Sequence, residues 1–438
     1  MVNTAFVNIW GTTVGAIAWD EQQELGFFEY DPGFIKHEWE LSPLKMPLHT
    51  GSKIYSFPEN RPSKNSTFNT FKGLPGLLAD VLPDQYGNQL INVFLAQQGR
   101  PENSMNPVEQ LCFIGTRGVG ALTFDPATLP PRSNTTRIEL DNLITIAQKI
   151  LQHRSQFHTK LHKDDELAIK QLITLGTSAG GARPKAVIAY NEQTGEVRSG
   201  QTITPKGFEH WIIKLDGVND VQLGDSHGYG RVEMAYHLMA KEAGINMMPC
   251  RLLEENNRAH FMTKRFDRTA NIRHHVQSFC ALKHYDFNEV NSFSYEQLFQ
   301  TMRELRLPYS DAEELYRRMV FNVLARNCDD HTKNFSFLLK KGENWQLAPA
   351  YDICHAYRPD SQWVSQHALS INGKRKNIKL DDLLSIAKAM HIKRAKKILE
   401  QVDEAVATWE SKAKETHVHT SKMKTIKASL IHLKDIKS

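Results

Sequence analysis

The sequence predicts an α+β fold with a β-rich amino-terminal part and a helical carboxy-terminal lobe. Three observations carry this reading. Alternating apolar segments concentrate before residue 270, helical spacing dominates after it, and 438 residues exceed one ordinary core. Composition is globular, with 40% hydrophobic and 24% charged residues and no low-complexity tract. The formal charge of +5 permits an acidic or nucleic-acid partner without arguing for one. Five scattered cysteines without C-x-x-C spacing fit a reducing compartment, with neither a disulfide frame nor a zinc site. Residues 1–6 lack leader features and no apolar run approaches the ~18 residues of a membrane span. A cytoplasmic protein without a membrane partner is expected.

In chain order, Phe6–Trp10, Thr13–Trp19 and Leu25–Tyr30 alternate like strands of a small antiparallel sheet. A helix follows over Gln85–Gln98. The glycines of Gly115-Thr116-Arg117-Gly118-Val119-Gly120-Ala121 suggest a phosphate loop, but the segment leads into a strand, Ala121–Phe124. Without a helix N-terminus to face an anion, a structural turn is the better reading. The Pro- and Ser/Thr-rich stretch 126–136 marks a boundary, giving three expected domains: 1–125, 126–270 and 271–438. Helical spacing resumes at Leu140–Gln152.

Gly176 and Gly181 have the spacing of a Walker loop, but Ala182-Arg183 stand where Lys-Ser/Thr is required, and a strand, Ala186–Tyr190, follows. The segment reads either as a flap of backbone N–H groups over phosphates, with Lys185 adding a cation, or as a plain hairpin turn. His210–Leu215 is an apolar strand interrupted by Lys214, which meets an anion if it points inward and water if the strand is an edge. Arg231–Ala240 reads as an amphipathic helix whose Glu233 is a candidate partner for Lys214. Ala259–Arg268 reads as a strand in the place of an interlobe hinge. Helices are expected at 294–305, 310–326, 379–390 and 393–414. The tail carries Lys422, Lys424, Lys427, Lys434 and Lys437, a contact for DNA or an acidic partner, or a solvated helix face.

The most specific chemistry lies in Asn327–Phe337 and, past a short hairpin, Leu347–Ile353. Asp329 and Asn334 are five apart, and Asp352 follows. Protein kinases use an Asp as base on the acceptor hydroxyl, an Asn at that spacing and a further Asp, the last two holding Mg²⁺. Asp330 lies four residues before Asn334 and is left as a flanking acid. A helix-like run, Leu315–Leu324, precedes the set and a strand, Phe335–Leu339, follows it. This is the order that phosphoryl-transfer chemistry requires.

With these motifs in place the chain resembles the HipA family, the kinase toxins of bacterial toxin–antitoxin modules. The resemblance rests on Leu77-Leu78…Leu82-Pro83-Asp84, Ser178–Lys185, Ile213-Lys214-Leu215, Arg265-Phe266-Asp267-Arg268, Asp329–Ser336 and Pro349-Ala350-Tyr351-Asp352. It implies a two-lobed, protein-kinase-like fold and an Mg-ATP-dependent kinase of protein Ser/Thr, with aminoacyl-tRNA synthetases among the family's targets. It also implies a helix-turn-helix antitoxin of the HipB kind, through which operator DNA is reached. By matching position, Asp329 is the proton acceptor and Asn334 and Asp352 hold Mg²⁺. Gly180, Gly181, Ala182, Arg183, Pro184, Lys185, Lys214, Lys264, Arg265, Phe266, His331, Lys333, Asn334, Tyr351 and Asp352 line the nucleotide site. Ser178 matches the serine whose autophosphorylation ejects the loop and switches such kinases off. Two departures stand out: Arg183-Pro184, where the best-known members carry Gln-Glu, and Asp330, where they carry Gly. Pro184 removes one N–H donor and stiffens the loop. A non-catalytic, antitoxin-binding co-repressor and a small-molecule kinase are the alternative readings.

Overall fold

The computed structural model describes residues 2–62, 69–129, 138, 140–152, 172–176, 183–201, 203–218 and 227–437. The chain divides into two compact units: Met1–Leu41, Met46–Gly230 and Leu253–His275 in the first, Ser42–Lys45, Arg231–Leu252 and Val276–Ser438 in the second. Among the described residues, no helix is long and apolar enough to cross a membrane.

The first unit opens with the sheet that alternation predicted. Its strands are β1 (Thr4–Ile9), β2 (Thr12–Asp20), β3 (Leu25–Tyr30), β4 (Ile54–Tyr55) and β5 (Thr123–Asp125), in the order β4-β3-β2-β1-β5. Ala5, Val7 and Ile9 of β1 are buried, as a period of two requires. Trp10 (φ 49°) and Gly11 (φ 80°) join β1 to β2, with Ile9 opposite Thr12. Two left-handed residues in a two-residue loop match the right-handed twist of the flanking strands. Helices Gln85–Gln97 and Pro107–Ile114 follow; the second starts at Asn106, whose side chain accepts from the Glu109 N–H at 2.8 Å.

The second sheet of this unit has the order β7-β6-β8-β10-β9, from β6 (Lys185–Tyr190), β7 (Val197–Ser199), β8 (Glu209–Lys214), β9 (Cys250–Glu255) and β10 (Arg258–Lys264). One face belongs to the core: Ala186 and Ile188 of β6 and Trp211 and Ile213 of β8 join Tyr86, Leu90, Leu143 and Ile144 from the helices. The strand expected to run to Arg268 ends at Lys264. The physical reason is local, because Arg265 grips Asp267 through Nε (2.8 Å) and Nη2 (2.6 Å) and turns the chain. A ribbon of β11 (Arg268–Thr269) and β12 (Ile272–Arg273) follows.

The second unit is helical, apart from residues Val276–Ser278 of β13 (His275–Ser278), β14 (Ser336–Leu339) and β15 (Gln346–Leu347). Helix Tyr295–Glu304 starts with a reciprocal cap: Ser294 Oγ accepts from the Gln297 N–H, and Gln297 Oε1 from the Ser294 N–H. Helix Tyr309–Leu324 packs on helix Ala395–Ala407 and buries Leu315, Met319, Val320 and Val323. The single helix expected over 393–414 is two, Ala395–Ala407 and Trp409–Glu415. Thr408 Oγ1 donates back to Ala405 O at 2.6 Å, and the break lets Trp409 bury itself with Nε1 donating to Met423 O at 3.0 Å. In the lysine-rich tail, helix Thr420–Ser429 buries Met423 and Ile426 while Lys427 pairs with Glu410 at 2.8 Å.

Candidate active site

Asp329, Asp330, Asn334, Tyr351 and Asp352 line one small cleft in the second unit, together with Arg318, Asn322 and Asn327. Helix Tyr309–Leu324 delivers the chain to it, and left-handed Arg326 (φ 56°) turns the backbone. Cys328 N–H then donates to Ala356 O at 3.0 Å, and Ala356 N–H to Arg326 O at 3.1 Å, so the loop enters tied to the 356 segment. A single 3₁₀ turn, Thr332–Asn334, returns it to β14. Asn334 Nδ2 donates to Asp329 O at 2.7 Å. On the other side of the hairpin, Ala350 N–H donates to Asn246 O at 2.8 Å, and Asp352 takes a left-handed conformation (φ 52°) that Asp tolerates better than most residues. Tyr351 Oη donates to Lys333 O at 2.8 Å and meets Ser336 Oγ.

The donor set suits a hard cation. The cleft is lined by the carboxylates of Asp329 and Asp352 and by the Asn334 carboxamide, whose nitrogen is engaged, while the Asp330 oxygens accept from Tyr295, His367 and Ala368. Oxygen ligands from one or two carboxylates are what Mg²⁺ takes at phosphate-transfer sites. Arg318 and Asn327, which line the same cleft, each keep one buried atom, Nη2 and Oδ1, without a hydrogen-bond partner among the described residues. A donor and an acceptor left unpaired in a carboxylate-lined cleft fit a bound polar group.

His331 and Lys333 flank the set. The His331 ring lies 5.1 Å from that of Phe287, its Nε2 is 3.8 Å from Asp329 Oδ1, and Lys333 Nζ is 5.5 Å from the Phe287 ring. Asp330, the flanking acid, also lines the cleft, but it is buried and its carboxylate is engaged by protein. Its Oδ2 accepts from Tyr295 Oη and His367 Nδ1, both at 2.8 Å, and its Oδ1 from Ala368 N–H at 2.7 Å. Burial would depress the His367 pKa, but the Asp330 charge, with Cys328 and the hydrogen bonds, outweighs it and raises the imidazole to about 10. Sequence reasoning missed Arg318, Asn322 and Asn327. Asn327 opened the stretch read as the catalytic loop but was given no role, and the only signal for the other two was polar residues on the apolar helix Tyr309–Leu324, where Arg318 and Asn322 share a face one turn apart.

The nucleotide candidates of the first unit form their own group. Lys185 and Lys214 are register partners on β6 and β8, and Phe261 of β10 is opposite Lys214, with the ammonium 5.7 Å from its ring. β8 is interior, so Lys214 is not on an edge; it stands on the face opposite the core residues Trp211 and Ile213. Arg183 lies 4.3 Å over the Tyr229 ring, and Pro184 O accepts from Leu215 N–H at 3.0 Å. Lys264 pairs with Glu209, and Phe266 is half-buried. Arg265 is committed to Asp267, which also accepts from Arg268 at 2.7 Å and Gly120 N–H at 2.8 Å. Burial alone would raise the Asp267 carboxyl; Arg265 and Arg268 outweigh it and hold it well below the usual carboxylate range. Ser178, Gly180, Gly181 and Ala182 lie outside the described residues, and Glu233 sits buried in the second unit.

The glycine segment at 115–121 is a structural turn, as its failure to enter a helix predicted. It offers carbonyls to cations: Arg273 and Arg268 donate to the carbonyl oxygens of Gly118 and Gly120 at 2.9–3.2 Å.

The β-rich first unit and the helical second unit carrying Asp329, Asn334 and Asp352 define a protein-kinase-like α+β fold. Residues 5–125 match the model of the HipA N-terminal domain, and residues 177–409 that of the HipA-like C-terminal domain. The chain belongs to the HipA family. The HipA chain of a Shewanella oneidensis toxin–antitoxin complex of HipA, HipB and operator DNA superposes with a TM-score of 0.66 at 16% identity, covering 97% of this chain and 94% of that one. A kinase-named protein of Sinorhizobium fredii, Y4dM, is 25% identical over 276 residues, 57% of this chain and 64% of that relative. The chain thus spans just under two thirds of that relative's length. A proinflammatory kinase of Helicobacter pylori, CtkA, aligns over 53% of this chain at 17% identity and a TM-score of 0.34, too distant to bear on the fold.

Proposed function

We propose that this chain is an Mg-ATP-dependent protein serine/threonine kinase, the toxin of a toxin–antitoxin module. The observation that carries the reading is the convergence of Asp329, Asn334 and Asp352 on one cleft. Bound Mg²⁺ would neutralise charge on the β- and γ-phosphates as the γ-phosphoryl group transfers. Asp329, half-exposed at 51% of its side chain, orients the acceptor hydroxyl and takes its proton. Asn334 and Asp352 hold the metal, Lys214 and Lys185 meet phosphate oxygens, and Ser178 is the autophosphorylation site. Family membership and the kinase name of Y4dM support phosphotransfer. The Shewanella oneidensis complex supports a helix-turn-helix antitoxin partner and, through it, operator DNA.

The test is incubation of the purified chain with Mg-ATP labelled in the γ-phosphate, with and without candidate protein acceptors, followed by mapping of the label. Label on Ser178 and on a protein acceptor is expected. Label only in a small molecule would favour a metabolite kinase, and absence of nucleotide binding would favour a non-catalytic co-repressor.

A further inference from the structure

We infer that Asp330 is a positioning residue: its buried carboxylate, held by Tyr295, His367 and the Ala368 amide, locks the loop so that neighbouring Asp329 faces the cleft. The inference rests on the reading of Asp329 as the base.

Asp330 is 1% exposed, whereas the Asp329 side chain is 51% exposed. Both residues line the cleft, but the Asp330 carboxylate is closed off by protein hydrogen bonds while that of Asp329 is open. The closed one is anchored at three points, by Tyr295 Oη and His367 Nδ1 on Oδ2 and by Ala368 N–H on Oδ1. The anchors come from separate parts of the unit: Tyr295 opens helix Tyr295–Glu304, and His367 and Ala368 lie past the metal-site Asp352. Tyr295 Oη in turn accepts from Asn322 Nδ2 at 3.0 Å, and Asn322 Oδ1 accepts from Asn327 Nδ2 at 2.9 Å. The chain of bonds leaves Asp330, passes through the helix before the loop and re-enters the loop at Asn327. Rotation of the loop about its own axis would break several of these bonds at once and leave buried His367 without its carboxylate partner, which fixes the aim of Asp329. A glycine at position 330 could supply none of these contacts, so the loop of this chain is held by a side-chain lock.

The test compares Asp330→Ala, Asp330→Asn and Tyr295→Phe with wild type by steady-state phosphotransfer, thermal melting and amide exchange over residues 327–331. Displacing a reacting group by about 1 Å costs on the order of 100-fold, so Asp330→Ala should lose about that in kcat. Its KM for ATP should stay within about twofold, because the carboxylate oxygens it removes accept from Tyr295, His367 and Ala368. Exchange at 327–331 should quicken. Asp330→Asn should regain part of the loss, since its amide oxygen still accepts a hydrogen bond. Should Asp330→Ala fail to fold, Tyr295→Phe carries the test, for it deletes one hydroxyl and keeps the ring; a lowered kcat with faster exchange supports the lock. Wild-type kcat and wild-type exchange in a folded Asp330→Ala overturn it, as they do in Tyr295→Phe where that variant carries the test. A wild-type chain that transfers no phosphate overturns the kinase reading itself, and the positioning role with it.

Discussion

Asn334 Nδ2 donates a 2.7 Å hydrogen bond to the backbone carbonyl of Asp329. One residue proposed to hold metal therefore braces the residue proposed as base. The bond uses the nitrogen end of the carboxamide and leaves the oxygen for the cleft.

This arrangement predicts that Asn334→Asp is harmful even though it adds negative charge to a metal site. A carboxylate cannot donate to the Asp329 carbonyl and repels it. Losing the donor costs about 1–3 kcal/mol, or roughly one to two powers of ten in kcat by transition-state arithmetic. Phosphotransfer kinetics at saturating Mg²⁺ measure this; an Asn334→Asp enzyme as fast as wild type would mean the brace is dispensable.

Lys185 and Lys214 stand directly opposite each other on β6 and β8. Like charges in that register repel, and an anion between them relieves the repulsion. Lys214→Met should weaken ATP binding about tenfold, corresponding to ~1.4 kcal/mol, and should flatten the salt dependence of binding. Titration calorimetry at two ionic strengths reads both effects. An unchanged dissociation constant would take Lys214 out of the nucleotide site.

Asp267 pairs with both Arg265 and Arg268 inside the first unit. Asp267→Asn leaves both guanidinium groups buried without their carboxylate, a loss of about 3–5 kcal/mol. Denaturant unfolding should show the first unit destabilised by that order. A midpoint equal to wild type would show that the carbonyls of Gly118 and Gly120 suffice.

The His367–Asp330 pair gives stability a pH dependence of definite sign. His367 is raised from 6.5 to about 10 in the folded chain, so its contribution is fully present below pH 6.5 and is lost as pH rises through about 10. The difference in melting temperature between wild type and His367→Gln should therefore be largest near pH 6 and shrink above pH 9. A difference that grew with pH would reverse the assignment of charge.

Local pattern was enough for much of this fold. Alternation marked β1, β2 and β3, and helical spacing marked Tyr295–Glu304 and Tyr309–Leu324, because those elements bury one face of a short continuous segment. The lack of a helix after Gly120 was likewise enough to read the 115–121 glycines as a turn. Other features were hidden because their partners are far away in sequence. Asp330 meets His367 across 37 residues and Tyr295 across 35, and no local spacing reports such a pairing. Arg268 finds the Gly118 carbonyl 150 residues upstream, so Arg265–Arg268 read only as a strand end beside a nucleotide. The spacing of Asp329 and Asn334 was legible; that Arg318, Asn322 and Asn327 share their cleft depended on the turn at Arg326.

The central claim is that Asp329 acts on the acceptor hydroxyl while Asp352 holds the metal, and paired kinetics and nucleotide binding on two variants test it most directly. Asp329→Gln should lose about 10²–10⁴-fold in phosphotransfer while binding Mg-ATP as wild type does. Asp352→Ala should lose transfer and also Mg-dependent ATP affinity. Wild-type turnover by Asp329→Gln would contradict the account.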